Sequence, residues 1–146
     1  VLDLPPAASR ATSHFESQNL SSRLVAVPGS FFEPMPEKLA SCDVFYMRFV
    51  LHDWDDASCK AILQNIMAVA KPGAKIVSTD FILGLDGPEM ETAKRLFDIN
   101  MMASNTANAK ERSFSQYSSL FAEAGIKAQP KLIKTRDATS TVEVQL

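Results

Sequence analysis

The sequence predicts an α/β domain with a mostly parallel sheet, on three observations. Strand-like and helix-like segments alternate along the chain. The longest apolar segment, Asp43 to Leu51, is interrupted only by Arg48, as in strands buried on both faces of a parallel sheet. The chain closes on two short strand-like segments separated by a polar turn, the pattern of an antiparallel hairpin.

Taken in order, Val1 to Asp3 reads as the tail of a strand that starts before the chain does, and Arg23 to Val27 as a short second strand. After the apolar strand, Ala57 to Ala70 carries Ile62, Leu63, Ile66, Met67 and Ala70 at three-four spacing, which predicts an amphipathic helix. Asp53, Asp55 or Asp56 can cap its positive end, and Lys71-Pro72-Gly73 stops it. Lys75 to Leu83 is strand-like, Gly84 to Pro88 a loop, Glu89 to Ala103 a helix, and Phe114 to Ala124 a shorter helix ending at Gly125. Lys131 to Thr135 and Thr141 to Leu146 form the hairpin. No repeat, low-complexity tract or linker divides the 146 residues, so one domain is expected.

Composition narrows the partners. A chain that is 46% hydrophobic and 22% charged can bury a core. Its net charge is −2 with 15 scattered Lys and Arg, which leaves no electrostatic footprint for nucleic acid or an anionic membrane. No apolar run reaches membrane-spanning length, and VLDLPP is no secretion signal. Cys42 and Cys59 form no CxxC pair and read as two reduced thiols, so a cytoplasmic protein is expected. Asn19-Leu20-Ser21 matches a glycosylation sequon that such a protein does not use. Small-molecule or protein partners remain, and no metal ligand set is read.

The architecture gives the stretch FVLHDWDD a location. In open α/β sheets, ligands lie beyond the carboxyl ends of the parallel strands, where LHDWDD passes from strand to helix. The next strand ends in Ser78-Thr79-Asp80. Neighbouring strands lie about 5 Å apart, so Asp80 is expected beside His52. A carboxylate that holds an imidazole in one tautomer is the minimum for general-base work. The same residues also admit plain readings. A strand-end histidine beside a carboxylate can be structural, Trp54 can be a core lid, and the aspartates can be caps.

The strings VLDLP, GSFFEPMP, CDVFYMRFVLHDWDD, KERS and AEAGIK, in that order and spacing, resemble the catalytic domain of the S-adenosylmethionine-dependent O-methyltransferases of plants, fungi and bacteria. The resemblance covers nearly the whole chain. It implies a Rossmann-like sheet and methylation of a hydroxyl on an aromatic or polyketide small molecule, with S-adenosylmethionine as cofactor and no metal. By resemblance His52 matches the general base, and Asp80 and Glu111 the acidic residues flanking it. Asp3 matches the ligand of the cofactor ribose. Ser30 and Phe31, with Phe32, fall in the region bordering the adenine, and Arg48 falls where the family usually has a lysine near the cofactor. Asp53 and Trp54 would border substrate and cofactor. Met101, Met102 and Asn105 lie where the family lines its acceptor pocket, although the methionines read equally well as core.

The sequence also departs from the family. The glycine-rich loop and first strand, and the amino-terminal helical domain that forms the family's dimer, have no counterpart in these residues. Ser30 stands where the family often has an acidic residue, and Ala109 replaces the glycine before the KER motif. The 146 residues therefore read as a partial catalytic domain, expected to pair with another copy or with an amino-terminal part. The alternative is a non-catalytic binding or assembly module. The retained His52, Asp80 and Glu111 favour an enzyme, although the isolated chain is expected to be inactive.

Overall fold

The computed structural model describes residues 1–104 and 108–146. A parallel pair of two-residue strands, β1 (Leu2–Asp3) and β2 (Val27–Pro28), flanks helix α1 (Pro5–Ser17). The main sheet has the order β3-β4-β8-β7, from β3 (Val44–Arg48), β4 (Lys75–Asp80), β7 (Lys131–Lys134) and β8 (Ser140–Gln145). β3 and β4 are parallel with Val44 opposite Lys75, and β8 is antiparallel to both β4 and β7. Strands β5 (Ile82–Leu83) and β6 (Arg112–Ser113) form a second parallel pair. The expected α/β class and closing hairpin are present.

Helices α2 (Asp56–Val69) and α4 (Phe114–Ala124) pack together over the sheet and make the core. Cys59, Ile62, Leu63 and Ile66 of α2 recur every three or four residues and are buried with Tyr117, Leu120 and Phe121 of α4 and Ile76, Val142 and Val144 of the sheet. Local chemistry sets the ends of both helices. Asp55 Oδ1 accepts the Ser58 N–H at 2.7 Å, and Ser113 and Gln116 form a reciprocal capping box. Gly125 ends α4 at φ 103°, a left-handed conformation that glycine adopts without strain. Helix α3 (Pro88–Ser104) is tied to the loop before it: Glu91 accepts the N–H groups of Gly84, Leu85 and Asp86. Buried Lys94 donates to the Ile82 carbonyl and to Asp86.

Two expectations are corrected and one element is new. The strand read over Arg23 to Val27 shrinks to Val27–Pro28, because β1 offers only two residues to pair with, while Arg23 and Leu24 donate to the Leu20 carbonyl in a turn. Helix α1 was not anticipated: its apolar pattern is weak and only Ala8 is buried, although Pro5 and Pro6 are at home in a first helical turn. The segment from Val44 is not buried on both faces. Val44 and Tyr46 remain 48% and 59% exposed, because β3 is the edge of its sheet and faces β1 across an open cleft.

Candidate active site

His52 sits on a single 3-10 turn, Leu51–Asp53, that leaves β3 for α2. Arg112 clamps this turn from the other side. Its guanidinium is fully buried and donates to the carbonyls of Leu51 and Trp54, both at 2.7 Å, and through Nε and Nη2 to one carboxylate oxygen of Asp56. Lys110 adds a backbone bond to the His52 carbonyl and an ion pair with Asp56. Leu51 and Trp54 carbonyls also accept from the Cys59 thiol, whose pKa burial pushes up to about 11, so it is an inert structural group.

Between these clamps lies Glu111, whose Oε1 is 2.9 Å from His52 Nδ1. Glu111 is 3% exposed and is itself anchored by its own N–H, which donates to Asp98 Oδ1. Asp53 Oδ1 lies 3.5 Å from Nε2. Asp80, expected at a ring nitrogen, is instead held by the hydroxyls of Ser78 (2.6 Å) and Tyr117 (2.8 Å). The reason is register: Ser78 and Asp80 project from the same face of β4, toward α4, where Tyr117 is buried. The strand ends do bring the two residues near, and Asp80 acts on His52 through space.

Burial opposes a charge on His52, but the hydrogen bond and charge of Glu111, followed by the charges of Asp80 and Asp53, outweigh it and raise the imidazole pKa above its ordinary 6.5. Among the described residues, Asp80 Oδ1 and Glu111 Oε2 are buried without a hydrogen-bond partner. Tyr117, pushed far above 10 by burial and then by Asp80, stays a neutral donor.

The remaining predicted residues fall into separate places. Asp3 is exposed at the carboxyl end of β1, with Oδ1 accepting the Leu4 N–H. Ser30 Oγ accepts the Phe32 N–H at 3.2 Å in a local turn. Phe31, Phe32 and Trp54 form one edge-to-face cluster, with Phe32 and Trp54 4.6 Å apart. Arg48 lies with its guanidinium carbon 5.1 Å from the Phe49 ring centre, and its charge reaches Asp137 in the β7–β8 turn. Met101 is half-buried and Met102 is 70% exposed near the end of α3. Asn105 lies outside the described residues. Sequence reasoning missed Arg112, Tyr117, Asp98 and Phe49. The KERS string already contains Arg112, but nothing local shows that its guanidinium crosses to residue 51.

Residues 1–127 match the O-methyltransferase domain family. The O-methyltransferase aoiO of Aspergillus oryzae is 40% identical over 107 residues, covering 71% of this chain and 26% of that protein. The 2,7-dihydroxy-5-methyl-1-naphthoate 7-O-methyltransferase of Streptomyces carzinostaticus is 36% identical over 126 residues, covering 86% of this chain and 35% of that protein. The crystal structure of NcsB1 from neocarzinostatin biosynthesis, bound to S-adenosylmethionine and 2-hydroxy-5-methyl naphthoic acid, superimposes with a TM-score of 0.81 at 32% identity over all of this chain and 41% of that one. The chain thus spans about a quarter to two fifths of the length of these relatives. With the family matched over most of its length and the histidine–glutamate pair at the end of its sheet, the chain belongs to the O-methyltransferase domain family.

Proposed function

We propose that this chain supplies the His52 side of the catalytic site of an enzyme that methylates a hydroxyl of an aromatic or polyketide small molecule, with S-adenosylmethionine as cofactor. The observation that carries it is the His52 Nδ1–Glu111 Oε1 hydrogen bond. An ionised carboxylate only accepts, so it places the ring proton on Nδ1 and leaves the Nε2 lone pair to take a proton. A phenol, with a pKa of about 10, is a poor nucleophile at neutral pH, and proton removal by Nε2 as it reacts raises its reactivity. Glu111 then stabilises the imidazolium through the bond already in place. Asp53, 3.5 Å from Nε2, adds negative charge at the same nitrogen.

The residues present fit the cofactor. An exposed carboxylate at a strand end, Asp3, suits ribose hydroxyls, and the Phe31–Phe32–Trp54 cluster suits the adenine, with Ser30 in the turn beside it. S-adenosylmethionine, when bound, supplies a methyl group activated by a sulfonium. Arg48 bordering the cofactor, and Met101, Met102 and Asn105 lining the acceptor pocket, belong to the same reading. Parallels among the relatives support the acceptor class, since one is named for a dihydroxynaphthoate and another binds a hydroxynaphthoic acid.

A cleft of about 470 Å³ separates β1 from the open edge of β3 and is lined by Leu2, Phe31, Val44, Tyr46, Met47 and Ile66, among others. Its apolar walls and two strand edges suit one further strand, supplied by an amino-terminal segment together with the helical dimerisation domain, in a homo-oligomer. Two free thiols support a cytoplasmic setting, and no described helix is long and apolar enough to cross a membrane.

The test is His52→Ala in the full-length protein. Turnover is expected to fall about a hundredfold or more with cofactor binding nearly unchanged. Turnover within about threefold of wild type overturns the assignment of His52 as the base, whereas absence of methyl transfer by the wild-type protein favours a non-catalytic module.

A further inference from the structure

Phe49, the first of the two residues between β3 and the His52 turn, has φ +52°. The other described non-glycine residues with positive φ are Asn19 and Asn108, of the type that tolerates this region. Phenylalanine does not, and a chain that needed only a sharp turn here would be served without strain by glycine. The strain is held by the contacts of the Phe49 ring. It stacks on the His52 imidazole at 5.4 Å and 29° between planes, and lies 5.3 Å from Phe81, which stacks in turn on Phe97 at 4.8 Å. Arg48 lies 5.1 Å from the Phe49 ring centre. The backbone at Phe49 is pinned as well, since its N–H donates to the Thr79 carbonyl of β4.

This row joins the three segments that carry the site. Phe49 and His52 follow β3, Phe81 follows Asp80, and Phe97 precedes Asp98, the acceptor of the Glu111 N–H. One hydrogen bond to Nδ1 restrains a single distance, whereas the orientation of the imidazole depends on two side-chain torsions, so a coupled rotation about both tilts the ring with the bond kept. A flat surface stacked on the ring removes that rotation. We propose that Phe49 is a positioning residue for His52: its left-handed backbone sets the ring as a wall that fixes the imidazole plane, so that Nδ1 meets Glu111 and Nε2 keeps one direction. Its relevance to catalysis rests on His52 being the base, but the positioning itself is separable from that reading.

The chain has only two histidines, and His14 is exposed on α1, so isotope-labelled histidine gives two imidazole resonances, one an internal control. Exchange of the His52 Nδ1 proton with water is followed by NMR at a pH where the ring is neutral. Phe49→Gly keeps the backbone conformation free of strain and removes the wall. Exchange at His52 is expected to accelerate about tenfold or more while His14 is unchanged, and Phe49→Tyr should stay within about twofold of wild type. Exchange within about twofold of wild type in folded Phe49→Gly overturns the proposal, as does Phe49→Tyr behaving like Phe49→Gly. If Phe49→Gly does not fold, Phe49→Leu, which keeps bulk without a flat face, decides on the same measure. Failure of the base assignment shows instead as retained turnover in His52→Ala.

Discussion

Nδ1 of His52 stands 2.9 Å from Oε1 of Glu111, a residue 59 positions later in the chain, so the carboxylate in contact with this ring nitrogen is that of Glu111. Asp80 is nearby but is occupied by Ser78 and Tyr117. The two acids thus have different tasks, and removing each has a different consequence.

Glu111→Gln should lower the His52 pKa, and Asp80→Asn should lower it less, in line with the order of their effects on the ring. Histidine NMR across pH 5 to 9 measures both. The raised pKa means that His52 contributes stability that is fully present below the unfolded value of about 6.5 and is lost as pH rises through the folded value. Urea midpoints of the wild type should therefore fall over that rise, and Glu111→Gln should flatten the slope.

Arg112→Met should destabilise the chain by about 3 kcal/mol or more, since it removes every bond of a buried guanidinium that serves two carbonyls and Asp56. Arg112→Lys should recover only part of this, because an ammonium cannot reproduce the planar fork. Urea unfolding of the two variants checks both statements, and equal stability of Arg112→Met and wild type would show that the clamp is dispensable.

Tyr117→Phe should cost about 1.5–3 kcal/mol by withdrawing one donor from the buried Asp80 carboxylate, while Ser78 still donates to it. Asp80→Asn combined with Tyr117→Phe should cost less than the two single changes summed, because the variants share one hydrogen bond. A double-mutant cycle by urea unfolding reads the coupling.

The 146-residue chain by itself should bind S-adenosylmethionine very weakly and transfer no methyl group, and its open β3 edge should draw copies together. Titration calorimetry and sedimentation decide this. Micromolar cofactor binding by a monodisperse monomer would mean that nothing further is needed between β1 and β3.

Where the signal is local, the sequence determined the structure by itself. Helix α2 is read at Ala57 to Ala70 and runs Asp56–Val69, and α4 runs over the residues expected, because Asp55, Ser113 and Gly125 act within a turn of the ends they set. The α/β class and the hairpin follow from alternation of short-range patterns, and the family from strings spread along the chain. The exposure of β3, the two-residue length of β2 and the choice of Glu111 over Asp80 were decided only in three dimensions. A strand is buried or paired only as far as its neighbours extend, and β1 offers two residues. A carboxylate reaches a ring only if its own segment is aimed there: Asp80 shares the face of β4 that meets Tyr117, whereas Glu111 is carried across the strand ends between Lys110 and Arg112, whose bonds to residues 51, 52, 54 and 56 are long-range in sequence. Helix caps are encoded by neighbours in the chain, but the plane and partner of His52 are encoded by neighbours in space.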